Sequence, residues 1–96
     1  MAVTFERSET VRLRAEVRDP EDNALFDPVT SMKITIKDSA GALKADDLDM
    51  TKESQGVYRY YYDLLEADAL GIWQVAYHAT DGSVITIQRD IFRVSD

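Results

Sequence analysis

The stretch Gly71-Ile72-Trp73-Gln74-Val75-Ala76-Tyr77-His78-Ala79 constrains the fold more than any other, because Trp73, Val75, Tyr77 and Ala79 recur at every second position. A period of two belongs to a strand with one buried face; a helix returns its apolar residues every three or four. The run contains the only tryptophan and the only histidine of the chain. It leads into Thr80-Asp81-Gly82-Ser83, a tight-hairpin signal, and then into a second β-rich run. It reads as the central core strand of a small all-β sandwich.

Other runs repeat the pattern. Val11, Leu13, Ala15 and Val17 alternate with Arg12, Arg14, Glu16 and Arg18, and Met32, Ile34 and Ile36 alternate with Lys33, Thr35 and Lys37. Each is a half-buried strand. Val3-Thr4-Phe5 reads as a short first strand, and Asp19-Pro20-Glu21-Asp22-Asn23 ends the second, since proline cannot donate to a ladder. Phe26 is expected to plug one end of the sandwich. After a turn at Asp38–Gly41, Ala42–Ala45 reads as an edge strand. Asp46–Met50 reads as an irregular segment with Leu48 and Met50 dipping into the core, and Lys52–Gly56 as a turn. In Val57–Asp63, Tyr58, Tyr60 and Tyr62 share the inner face, opposite Val57, Arg59 and Tyr61.

Leu64–Leu70 predicts one helical turn crossing between sheets, too short to be an independent helix. In the last run, Ile85 and Ile87 have one parity and Phe92 and Val94 the other. A β-bulge around Gln88-Arg89-Asp90 would place all of them in the core and is the preferred arrangement. Without it, Ile85 and Ile87 join Ile72, Gln74, Ala76 and His78 on the outer face of the tryptophan sheet, and an exposed apolar row of that kind marks an interface.

About seven short strands with regularly spaced turns predict an antiparallel β-sandwich of two sheets; an open barrel is the alternative. The 96 residues suit a single domain spanning 1–96 with one continuous core. The net charge of −7 argues against binding to nucleic acid or to an anionic membrane surface. Without cysteine the chain has no thiol catalysis, iron–sulfur cluster or disulfide. The N-terminus lacks the apolar core of a signal peptide, and no run approaches the roughly 20 apolar residues of a membrane span. If Met1 is the native start, this points to a cytoplasmic or virion-associated protein.

Gly56-Val57-Tyr58, then Gly71-Ile72-Trp73, then Asp81-Gly82 and a closing Phe92-Arg93-Val94 resemble the core-strand pattern of immunoglobulin-like modules of the macroglobulin and bacterial adhesin type. The resemblance covers most of the chain and rests on core positions, so it implies a fold and not an activity. Antibody-type domains carry an inter-sheet disulfide that this chain cannot form. Modules of the resembled kind serve as spacers, adhesion units or assembly parts in surface proteins and phage virions.

The residues with chemical potential have plainer explanations. Asp19, Glu21, Asp22 and Asp46 are the best candidates for calcium, but no Asp-x-Asp-x-Asp-Gly run occurs. His78 has no second histidine or cysteine to share a zinc ion, and no serine stands in a nucleophile-elbow context. Of the tyrosines only Tyr61 is expected to face out, and one ring is not a sugar platform. The expectation is therefore a non-enzymatic structural or protein–protein interaction module without a cofactor, acting through a protein partner or self-association. A small carbohydrate- or calcium-binding module is the second reading.

Overall fold

The computed structural model describes residues 3–19, 21–28 and 30–96. It is all-β. Its strands are β1 (Val3–Glu6), β2 (Thr10–Glu16), β3 (Ser31–Lys37), β4 (Leu43–Asp49), β5 (Thr51–Ser54), β6 (Val57–Asp63), β7 (Gly71–Asp81) and β8 (Val84–Ser95). A five-stranded sheet has the order β1-β8-β7-β3-β4, and a three-stranded sheet the order β2-β6-β5. All pairings between these strands are antiparallel except one: β1 runs parallel to β8, with Val3 opposite Phe92 and Glu6 opposite Ser95. A wholly antiparallel sandwich is thus corrected at that pair.

The core forms where the two inner faces meet. Val11, Leu13, Ala15 and Val17 from β2 and its continuation face Met32, Ile34 and Ile36 of β3 and Trp73, Val75, Tyr77 and Ala79 of β7. Phe92 and Val94 complete it, and Phe26 packs against its edge as expected. Trp73 is wholly buried, lies 5.5 Å from the Phe92 ring and 5.8 Å from the Tyr62 ring, and donates its indole N–H to Ala69 O at 2.8 Å. The indole thus joins both sheets and the connection between them, with its one polar atom satisfied.

Several expectations are corrected by register. β7 and β8 pair without interruption from Gly71 opposite Val94 to Asp81 opposite Val84, so there is no bulge at Gln88–Asp90. The irregularity lies in β4, where the pairing with β3 shifts between Leu48 and Ala45 and Asp47 has φ +54°. Asp46–Asp49 therefore belongs to a strand, and Leu48 is 44% exposed, whereas Met50 is buried as expected. Thr51–Ser54 is a strand and not a turn; the turn is confined to Gln55-Gly56. Leu64–Leu70 makes no helix: Asp68 N–H donates to Leu65 O and Asp68 Oδ2 accepts Leu65 N–H at 2.7 Å, closing a β-turn. In the Asp19–Asn23 turn, Pro20 lies outside the described residues, as does Met1 at the N-terminus.

Asp27 ties the loop after β2 to the β5–β6 turn. Its Oδ2 accepts Lys52 Nζ at 2.7 Å, and its Oδ1 accepts Gly56 N–H at 2.8 Å and the Tyr58 hydroxyl at 3.3 Å. A Cβ at Gly56 would stand 2.8 Å from Phe26 N and 2.9 Å from Leu25 Cβ, so the glycine is required for this close approach as well as for its φ of +71°.

Two outcomes follow from this packing. Trp73→Ala should lower unfolding free energy by about 3–5 kcal/mol, read from urea denaturation, because it leaves a cavity between the sheets. The hydrogen bond from Lys52, and then that from Gly56, hold the Asp27 carboxyl below its ordinary value of 3.8. Its stabilising contribution is therefore present above that value and lost as pH falls through the lower folded one. Urea midpoints measured from about pH 5 down to about pH 2 should fall less steeply for Asp27→Asn than for the wild type.

Candidate interaction face

The outward residues of the large sheet stand in cross-strand rows fixed by pairing. Lys33, His78 and Ile87 form one row, Thr35, Ala76 and Arg89 the next, and Lys37, Gln74 and Ile91 the next. Ser31, Thr80 and Ile85 lie towards the hairpin turn, and Ile72 and Arg93 towards the other end. Because β8 does not bulge, Ile72, Gln74, Ala76, His78, Ile85 and Ile87 do share one outer face. Ile85 is 62% exposed, Ile87 47%, Ile91 46% and Ile72 37%. The small Ala76 side chain, between Thr35 and Arg89, leaves a shallow depression of about 580 Å³ over the middle of the face.

Charge on this face departs from that of the whole chain. Lys33, Lys37, Arg89 and Arg93 project from β3 and β8, and no outward residue of β3, β7 or β8 within these rows is acidic. An acid appears at the rim, where Asp49 of β4 lies 3.7 Å from Lys33. The acids that make the chain −7 are therefore concentrated elsewhere. Sequence reasoning identified Lys33 and Lys37 as outward but did not place them beside the isoleucines, because strand order is not local information. Ile91 was missed although its signal was present: it adjoins Phe92 and has the opposite parity.

The two sheets are unequal, five strands against three. At about 3.3 Å per residue, the eleven residues of β7 reach about 36 Å, against about 23 Å for the seven of β2 or β6. The small sheet is also narrower: Val75, Tyr77 and Ala79 of β7 are buried, whereas their partners Asp90, Gln88 and Thr86 on β8 face inward beyond the covering strands and are exposed. Beneath them, an open groove of about 1110 Å³ runs between β8 and β2, with Tyr77, Ala79 and Met32 in its wall.

The remaining candidates, His78 excepted, lie apart from this face or serve as hydrogen-bond partners of loops. Asp19 Oδ1 accepts Glu21 N–H at 2.8 Å and Asp22 Oδ1 accepts Ala24 N–H at 3.0 Å, while Asp46 lies on β4 of the large sheet. Among the described residues no group of three or more His, Asp or Glu is placed to hold a metal ion. Asp38 and Asp68 are buried beside Lys44, at 3.8 and 3.4 Å. Their oxygens hold loops: Asp38 Oδ1 accepts the N–H groups of Ala40 and Ala42, and Asp68 Oδ2 that of Leu65. His78 stands on the outer face. Tyr61 faces out from the small sheet with the Arg59 guanidinium 5.6 Å from its ring centre.

In comparisons with known proteins, no family model, curated protein or solved structure matches this chain.

Burial, and then the charge of Asp90 on the neighbouring row, push the Tyr77 phenol up to about 12. The stability that depends on the neutral phenol is present below the ordinary value of 10.0 and is lost as pH rises through the folded value. Asp90→Asn should lower the Tyr77 pKa while leaving it above the ordinary value, since burial is the larger cause. Alkaline titration of carbon-13-labelled tyrosine by NMR measures it, and an unchanged value would mean that Asp90 does not face the phenol.

Proposed function

We propose that this chain is a non-catalytic, immunoglobulin-like interaction module that docks an acidic protein partner on the outer face of β3, β7 and β8. A virion or a bacterial surface assembly is the setting that suits such a role. The observation that carries the reading is the segregation on that face. Four isoleucines lie among Lys33, Lys37, Arg89 and Arg93 without an acid between them, on a chain of charge −7. Apolar area supplies affinity once water is displaced, and the basic side chains favour a partner whose carboxylates surround an apolar centre.

The strand order supports the immunoglobulin-like assignment. β1-β8-β7-β3-β4 corresponds to a sheet of A′, G, F, C and C′ strands, and β2-β6-β5 to one of B, E and D. In antibody domains a tyrosine near the start of strand F bonds back to the backbone a few residues upstream. The Trp73 indole makes a similar link near the start of β7, to Ala69 four residues earlier. The tryptophan stands on the F-like strand, however, whereas antibody domains bury theirs on strand C.

Placing a photo-crosslinking residue at Gln74, in the middle of the face, tests the reading in the cells or particles that make the protein. A discrete adduct with an acidic protein is expected at 74 and not at Tyr61 on the opposite sheet. Equal labelling at both positions, or none at 74, counts against the face. Ile91→Asp should abolish the adduct yet change folding stability by no more than about 1 kcal/mol, since the side chain is already half exposed.

A further inference from the structure

We infer that the outer edge of β8 between Val84 and Ile91 is a strand-addition site, and that its occupant is a second copy of this chain. The copy adds its own β8 antiparallel about a two-fold axis. This inference goes beyond the docking face: it concerns backbone groups at the sheet edge and not side chains on the sheet surface.

Hairpin geometry decides where those backbone groups point. Asp81 and Val84 close a two-residue turn whose first central residue, Gly82, has φ +64°, as a II′ turn requires. The closing pair of such a turn exchanges both hydrogen bonds, and bonded and non-bonded pairs then alternate along the ladder. Val84, Thr86, Gln88 and Asp90 therefore direct their N–H and C=O groups at β7. Ile85, Ile87 and Arg89 direct theirs away from it, as does Ile91, whose N–H is already accepted by Asp90 Oδ1 at 2.8 Å. Ser95 continues the odd series, and its carbonyl accepts Arg7 N–H on the β1 side, as this alternation demands.

Among the described residues, β1 pairs only with Phe92–Ser95, leaving the edge from Val84 to Ile91 without a partner strand. The other edges carry the features that discourage strand addition. β4 is interrupted by register shifts and by Asp47 in the left-handed region, and it bears several acids. β5 is four residues long, half of them charged, with a shift of its own. β2 alternates Arg12, Arg14 and Glu16 along its outward side. Val84–Gln88 is regular, mostly β-branched and uncharged; the charges of this edge, Arg89 and Asp90, follow it, and Asp90 Oδ1 closes the window by accepting Ile91 N–H.

A second copy fits because the window matches itself. It is bounded by the hairpin turn at one end and by Ile91, whose N–H is held by Asp90 Oδ1, at the other, so a two-fold partner presents an edge of the same length with donors at the same spacing. Antiparallel pairing must set odd residue against odd. In the register centred on Ile87, that residue meets its own equivalent, Ile85 meets Arg89, Thr86 meets Gln88 and Val84 meets Asp90. No like charges oppose each other. The added strand also narrows the groove over Tyr77 and Ala79.

Sedimentation equilibrium over a wide concentration range tests this, with Ile87→Pro and Ile87→Thr as the variants. Proline removes an edge-facing donor without touching the ladder to β7, whereas threonine removes apolar side chain but keeps the N–H. The wild type should dimerise reversibly. Proline should weaken the dimer by at least about tenfold, and threonine by no more than about threefold. Buried tryptophan fluorescence confirms that each variant folds. A wild type that stays monomeric, a proline variant that dimerises as before, or equal loss in both variants would each overturn the inference. Amide exchange needs no variant: protection at Ile85, Ile87 and Arg89 should rise with protein concentration, and exchange independent of concentration would refute the pairing. A strand taken instead from another protein would leave the isolated chain monomeric, and so also overturns it.

Discussion

The burial of one indole between two sheets is the constraint on which the rest of the structure depends. Trp73 lies between Phe92 of its own sheet and Tyr62 of the other, and its N–H is answered by Ala69 in the connection that crosses between them. A chain of this size has room for one core, and the largest side chain in it decides how far apart the sheets stand. The aliphatic rows of β2, β3 and β7 then fill the remaining space at that spacing. The open groove lies between β8 and β2, where the small sheet ends.

The inequality of the two sheets links the fold to the proposed role. Three strands cannot cover five: Tyr77 and Ala79 of β7 are buried in the core, but their partners Gln88 and Thr86 on β8 face the same way and are exposed. Inward positions there need not be apolar and are not: they are Thr86, Gln88 and Asp90. The apolar residues stand on the other side, at Ile85, Ile87 and Ile91, where a single domain has no use for them in its own core. Among the described residues, β1 pairs with β8 only from Phe92 to Ser95.

What could be read from the sequence follows from which interactions are local. Alternation identified the buried faces of β2, β3 and β7 residue by residue, because a period of two registers the environment directly; in β6 it set Val57 outward, whereas Val57, at the start of the strand, is buried. It misled at β8. The change of parity between Ile87 and Phe92 was resolved with a bulge on the assumption that every apolar row faces a core. The strand in fact keeps its register and changes environment partway along, which depends on the extent of a different sheet. Leu48 failed for a related reason: a positive φ at Asp47 shifts the register of β4, and nothing short of the pairing reveals it. The basic component of the candidate face was invisible because Lys33 and Lys37 lie far in sequence from Arg89 and Arg93. They are brought to one surface only by β3 and β8 flanking β7.

One alternative explanation of the isoleucines must be weighed, namely that they stabilise the β7–β8 hairpin itself. β-branched residues favour the extended backbone, and cross-strand pairs such as His78–Ile87 and Thr80–Ile85 contribute roughly 0.2–1 kcal/mol each. A strand left partly uncovered has need of both. Threonine is β-branched too, however, and presents a hydroxyl to water; the hairpin uses it at Thr80 and Thr86. Strand propensity therefore accounts for the branching at 85, 87 and 91 but not for the choice of isoleucine over threonine. Full burial of such a side chain is worth roughly 1.5–3 kcal/mol, and these isoleucines, 46–62% exposed, forgo about half of it. Local hairpin stability does not recover that difference; the proposed partner would.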